Sequence, residues 1–400
     1  MKRLVKWPAV LAAFALGCTL AASPAQAQIS TPTNSTTQVS VGDLSPEQAE
    51  AIAQRILDGL PADFEARLAE LDRQLGLPES APTAALVERL INPADYQCGP
   101  TPKDAWVQAH LPQMDSTEAF ILVFFGLKIP TYDTLLFETE DTPQVFGRND
   151  EFKTPVTHTF RDLRRFWDTR SDDIQLLAMH SNTVVDKAKV TRTLVGALGL
   201  PTPEAAAPLA DLIVQLFSQE KWQYGHHPLF SFNAYASEIL PSDPPALQGI
   251  PDKLVMGDGI LEAYHAIGYG DVAPEAIMAH EFGHHVQFEH GVITEDSDAD
   301  TTRHSELQAD ALAGYSLTHA RGLAMQRKRV EAFEQIFFNV GDCSFTADGH
   351  HGTPNQRVKA SSWGHQLAQS APNQGHVLPS REVLTAFDQA FPTIVAPDAE

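Results

Sequence analysis

The apolar positions of this chain fall into blocks of different period, and each block predicts a different kind of element. From Leu44 to about Ile91 they recur at helical spacing. Ser45-Pro46-Glu47 opens that block with a capping hydroxyl, a proline that fits the first turn and an acid behind it. Leu60-Pro61 breaks the helix, and a second periodic run follows from Phe64 to Leu77. A β-rich stretch is expected after Trp106, where Phe120-Ile121-Leu122-Val123-Phe124-Phe125 is apolar, partly β-branched and of strand length. Helices are expected again from about Phe160 to Phe217, interrupted at Leu200-Pro201. Asp271 and Pro274 suit a first helical turn and Gly291 suits an end, which predicts a helix from about Val272 to His290. Helices around a small sheet make the expected fold class α+β.

Two segments stand outside these blocks. Lys2, Arg3 and Lys6 precede an apolar run from about Pro8 to Ala22, and Ala25-Gln26-Ala27 supplies a small-x-small cleavage site. Residues 1–27 therefore read as the signal peptide of an exported protein, periplasmic or secreted. Residues 28–43, rich in Ser, Thr, Gln and Val, read as a flexible leader. Leu16-Gly17-Cys18 loosely resembles a lipobox, but Ala15 stands where a large aliphatic residue is usual, so a lipid anchor at Cys18 is the lesser reading. No later apolar stretch reads as long enough to cross a bilayer. The expected division is then a helical N-terminal region, 44–98, and one larger domain, 99–395. The helical region suits either a prodomain-like element or a packing element.

Composition narrows the partners. The chain has 400 residues, 43% of them hydrophobic, enough to bury a sizeable core. Its net charge is −23, and loss of residues 1–27 removes three positive charges and no acid, giving −26. Such a surface argues against nucleic acid or an anionic membrane face as partner. Only Cys98 and Cys343 remain after cleavage. In an oxidising compartment they suit a disulfide tying the early chain to the late chain, with two separate buried thiols as the alternative. The run Glu295-Asp296-Ser297-Asp298-Ala299-Asp300 reads as a solvated acidic loop, because it lacks the glycine and distal Glu of a calcium-binding EF-hand.

The candidate chemistry centres on His280-Glu281-Phe282-Gly283-His284. Four residues apart on a helix, the two imidazoles lie on one face, a turn from each other, and can share a tetrahedral zinc. Glu281 is offset by about 100° and falls beside the ion, where it can take a proton from water. Glu306 is a third candidate ligand, completing a His₂Glu site for one Zn²⁺ per chain. Asp310, one turn further on, can accept the outer N–H of a liganding histidine and fix its tautomer. The plainer alternative is an amphipathic helix with surface histidines, and His285 and His290 stand nearby. His226-His227 is expected at the surface rather than at a metal, because adjacent side chains point different ways.

His280-Glu281-Phe282-Gly283-His284-His285-Val286-Gln287 and Glu306-Leu307-Gln308-Ala309-Asp310-Ala311-Leu312-Ala313-Gly314 are followed by Val340-Gly341-Asp342 and His351-Gly352-Thr353-Pro354-Asn355-Gln356-Arg357. In content and order these blocks resemble the bacterial neutral zinc metallopeptidase family, of gluzincin-like type, over about residues 225–365. A fainter similarity joins Phe232-Asn233-Ala234-Tyr235-Ala236 and Lys253-Leu254-Val255-Met256 to the strands ahead of the metal helix in CAAX-prenyl-type zinc peptidases. The resemblance implies a zincin-like domain, a small sheet over a metal-bearing helix, and an activity on peptides or proteins. An edge strand in such folds pairs with extended substrate. His351 lies in a matched block and is the first candidate to stabilise the oxyanion, with Arg357, Tyr264 and Tyr235 behind it. Arg357 suits an anchoring salt bridge better.

Other chemistries lack their signatures. There is no Gly-x-Ser-x-Gly elbow, no Cys-x-x-Cys pair and no Gly-rich phosphate loop. Two further readings stay open beside the peptidase: a metal-bound scaffold that cleaves nothing, and a zinc hydrolase of non-peptide amides.

Overall fold

The computed structural model describes residues 43–74, 96–239, 243, 247–293, 298–343, 350–373 and 375–398. The signal peptide, nearly all of the leader, Cys18, residues 75–95 and Glu295–Ser297 lie outside the described residues. Residues 43–400 form one unit, 63% of the described residues are helical, and a three-stranded sheet completes an α+β architecture.

Helix α1, Pro46–Asp58, starts where its capping signals place it. Ser45 accepts from the Gln48 N–H, and the Gln48 side chain answers the Ser45 N–H. Helix α2, Phe64–Gln74, follows the Pro61 break. Both bury their apolar stripes in one core: Ile52, Ile56, Leu68 and Leu71 sit with Phe125, Leu209 and Phe217. Asp72 is buried there, and Lys128 Nζ at 2.9 Å and the Tyr132 hydroxyl at 2.7 Å both donate to it.

The expected β-rich stretch after Trp106 is helical instead. Helix α3, Pro102–His110, is capped by Thr101. The Phe120–Phe125 run belongs to α4, Ser116–Phe137, which opens on an Asp115–Glu118 capping box and passes through one π-helical turn at Leu122–Gly126. A largely buried helix shows no clear amphipathic period, so its apolar run is indistinguishable from a buried strand by pattern alone. With 22 residues and a mean hydropathy of 1.5, α4 is also long and apolar enough to cross a bilayer, contrary to the sequence expectation. Here its Ile121, Phe125, Ile129, Tyr132 and Leu135 line the same core as α1 and α2, and its buried Asp133 is held by Arg192 at 2.7 and 2.8 Å.

The helical stretch expected from Phe160 to Phe217 is likewise divided. Helix α5, Lys153–Phe166, gives way to strand β1, Gln175–Met179, before α6, Lys187–Gly196, and α7, Pro203–Phe217. Strand β2 is Ala234–Ser237 and β3 is Lys253–Gly257. The order is β1-β3-β2, with β1 parallel to β3 (Leu177 opposite Val255) and β2 antiparallel to it (Ala236 opposite Leu254). The outer edge of β1 is blunted by side chains: Glu140 and Gln144 accept from the Leu176 and Ala178 N–H groups at 2.7 and 2.8 Å.

Behind the sheet come α8, Asp258–Ala266, and the helices that carry the site: α9, Ala273–Glu289; α10, Ala299–Thr318; α11, Arg327–Val340; α12, Pro354–Gln369; and α13, Ser380–Ile394. Asp298 caps α10 through the Thr301 N–H, which gives that end of the acidic run a structural task. The helices approach unusually closely. A Cβ on Gly283 would meet the Ala309 backbone at 3.2 Å, and one on Gly314 would lie 2.1 Å from the Ser361 carbonyl oxygen, so α9, α10 and α12 interlock through missing side chains. Buried His285 lies 3.2 Å from the Lys253 carbonyl and fixes α9 to β3.

A candidate metal centre

The first side of the centre is α9. Its periodic apolar contacts, among them Ile277, Phe282 and Val286, turn one face into the core and leave His280, Glu281 and His284 toward α10. Glu306 comes from α10, held at the right depth by the Gly283–Ala309 approach. His280 Nε2 lies 3.2 Å from His284 Nε2 and 3.2 Å from Glu306 Oε2, and His284 Nε2 lies 3.4 Å from Glu306 Oε1. A tetrahedral zinc with bonds near 2.0–2.1 Å has ligand–ligand edges of about 3.3 Å. The two imidazole nitrogens have the spacing of one such edge and each lies at a similar distance from a different oxygen of Glu306, so this His-His-Glu group could hold a metal ion.

Charge points the same way. Glu281, Glu306 and Asp310 are buried or nearly so, and Arg357, wholly buried, is the cation facing them. Three carboxyl groups crowd around one guanidinium and two imidazoles, a donor set rich enough in negative charge to suit a divalent cation. Burial raises the Glu281 pKa, against the pull of His280, His284 and Arg357. Burial acts to lower the His280 pKa, but Asp310 and Glu306 outweigh it and push it up to about 10. Glu306 is held well below the usual carboxylate range: burial opposes this, and His351, His284 and His280 overcome it.

Both histidines present Nε2 inward because Nδ1 is engaged. His280 Nδ1 lies 2.9 Å from Asp310 Oδ1, close enough for attraction though off the line of a hydrogen bond. His284 Nδ1 lies 2.8 Å from Gln287 Oε1, and Gln287 Nε2 donates to the Ser305 carbonyl at 2.7 Å and to Gln308 Oε1 at 3.0 Å. The roles of Gln287 and Gln308 were not read from the sequence. Gln287 carried a signal, an amide three residues past His284 on the same helical face; Gln308 carried none. Arg357 anchors the far side, donating from Nε and Nη2 to Asp310 at 2.7 Å each, with Nη1 3.3 Å from Glu306.

His351 stands within electrostatic range of Glu306, and its side chain is 35% exposed. Asp342 holds it: the His351 N–H donates to Asp342 Oδ2 at 2.9 Å, and His350 Nδ1 lies 2.7 Å from Oδ1. Burial opposes ionisation of Asp342, yet these two histidines keep its carboxyl far below the usual range. Cys98 and Cys343 form a disulfide with a Cα–Cα distance of 5.8 Å, directly after Asp342. The structure separates the two tyrosines from this group. The Tyr264 hydroxyl donates to the Ile336 carbonyl and Tyr235 to Thr131, both inside the protein, so neither is free for an oxyanion. His227 is also corrected: it is buried, lies 2.9 Å from the His110 carbonyl, and burial takes its pKa down to about 4, while His226 is exposed.

No protein-family model, curated protein or solved structure matches this chain.

Proposed function

We propose that the protein is an exported zinc-dependent peptidase of zincin-like type, with His280, His284 and Glu306 as metal ligands and Glu281 as general base. The observation that carries this reading is the close spacing of the two imidazole nitrogens and the Glu306 oxygens, with a buried carboxylate one residue from His280. Zinc bound there would supply Lewis acidity to a water and to the scissile carbonyl. Glu281, its basicity increased by burial, takes the proton from the attacking water and passes it to the leaving amine. His351, steadied by Asp342 and partly open to solvent, donates to the oxygen on which charge develops. Strand β2 is a sheet edge beside α9 and suits an extended substrate backbone. The signal-like first residues and the Cys98–Cys343 disulfide support export.

The intact, buried Glu281 favours an enzyme over a metal-bound scaffold, since a scaffold has no use for an uncompensated buried acid. The test is zinc content and cleavage of casein and of small amides by the mature protein, beside Glu281→Gln. Zinc in both with casein cleavage in the parent alone supports the proposal. Cleavage of amides alone would move it to a non-peptide hydrolase, and absence of zinc after metal is supplied would overturn it.

A further inference from the structure

A polar cavity lies at the N-terminal end of α8, where β1 and β3 end. It encloses about 430 Å³ and is lined by Gly147, Arg148, His180, Asn182, His226 and Asp258, among others. The location follows from topology: in parallel strand pairs the carboxyl ends open a crevice that the following loops close. His180 directly follows β1 and Asp258 directly follows β3, so strand pairing brings them together.

The wall is built. His180 Nδ1 lies 2.7 Å from Asp258 Oδ2, and Asp258 Oδ1 accepts the buried Gly147 N–H at 3.1 Å. The carboxylate is thereby spent on the wall, and it orients the imidazole so that Nε2 is the atom left for the cavity. Arg148 makes its contacts through Nη2: to the His226 carbonyl at 2.7 Å, to Gln223 at 3.3 Å and to Glu262 at 3.0 Å. With Nη2 engaged in these contacts, Nη1 is the donor that can turn to an anion, as one charge-assisted hydrogen bond. Burial, and then Arg148, lower the His226 pKa. These donors gather on a chain of net charge −23.

The loop that closes this cavity is strained. Gln223 and Tyr224 both hold positive φ, 49° and 54°, ahead of Gly225 at 87°. Non-glycine side chains are disfavoured in that conformation, and such strain concentrates at sites of function. The twist aims the His226 carbonyl and the Gln223 side chain at Arg148. It is fastened from behind, where Gln219 and the Glu220 N–H bond to Leu44 and Asp43 at the head of α1.

We propose that this cavity is an oxyanion-binding site, separate from the metal centre, that takes the carboxylate or phosphate group of a small molecule between Arg148, His180 and His226. Neither zinc nor Glu281 takes part. The test is NMR titration of the histidine ring signals of the mature protein with acetate and, separately, inorganic phosphate, in the parent, Arg148→Ala, His180→Gln and Glu281→Gln. The expected result is saturable movement of the His180 and His226 signals by one or both anions, weakened at least tenfold in Arg148→Ala and His180→Gln and unchanged in Glu281→Gln. The anion that binds more tightly identifies the group recognised. Arg148 is half-exposed, so its variant should keep the fold if His180→Gln does not. Absence of saturation with either anion, or equal binding in Arg148→Ala, overturns the proposal, and neither result bears on the metal centre.

Discussion

Gln287 Oε1 lies 2.8 Å from His284 Nδ1, and the same amide donates to the Ser305 carbonyl and to Gln308 on the neighbouring helix. One buried side chain thus orients the His284 ring on α9 and ties it to α10, which carries Glu306. Outer partners of this kind typically account for 10–100-fold in metal affinity. Gln287→Leu should bind zinc about 10–100-fold more weakly than the parent in a chelator competition. Equal affinity would show that α9 alone orients His284.

Arg357 faces a different demand. It is fully buried, and its two 2.7 Å bonds to Asp310 neutralise a carboxylate that is itself 0% exposed. Arg357→Met removes both hydrogen bonds to that carboxylate and leaves only His280 beside it, and should cost about 3–5 kcal/mol in urea unfolding of the metal-free protein. Arg357→Lys keeps the charge but loses the fork, and should fall between parent and Met. Parent-like stability for Arg357→Met would show that this pair adds nothing to the fold.

The proximity of the candidate ligands was legible because it is local: His280, Glu281 and His284 share a helix, and helical period places them a turn or less apart. Glu306 and Asp310 were legible for the same reason, one turn apart on α10. What resisted reading was packing. Phe120–Phe125 looks like a strand because its six residues are all apolar and the helix that holds them is largely buried, so no polar stripe marks a helical period. Leu176–Met179 vanished into an expected helical region because four buried apolar residues fit either element. Tyr235 and Tyr264 looked available because sequence does not show that their hydroxyls bond to carbonyls inside the protein. The cavity at His180 and Asp258 was invisible for another reason: its parts lie 78 residues apart and meet only through parallel strand pairing.

Asp252 gives the fold a pH dependence away from the metal. Burial, and then Glu238, Asp173 and Glu289, raise its pKa to about 7, against a small opposing pull from Arg170. A carboxyl raised in the folded state opposes folding once it ionises. Its penalty is absent below the unfolded pKa, grows as pH rises, and is complete above about 7. Asp252→Asn should therefore raise the melting temperature at pH 8 and leave it nearly unchanged at pH 4, as differential scanning calorimetry at both values would show. An equal gain at both pH values would assign the effect to something other than ionisation.

The N-terminal helices pose the last question, whether they restrain the candidate site or build the fold. Their contacts answer structurally: α1 and α2 share a core with α4 and α7, and buried Asp72 is locked to Lys128 and Tyr132. Removing residues 43–74 would bare Phe125, Leu209 and their neighbours and leave Lys128 and Tyr132 without their acceptor. An inhibitory segment can leave without such exposure; a core element cannot. Chain truncated to begin near Tyr96 should be recovered aggregated or with a lowered melting temperature, and with less casein cleavage per molecule than the full mature chain. A soluble truncated protein with higher activity would reverse this and make the region a restraint on the site.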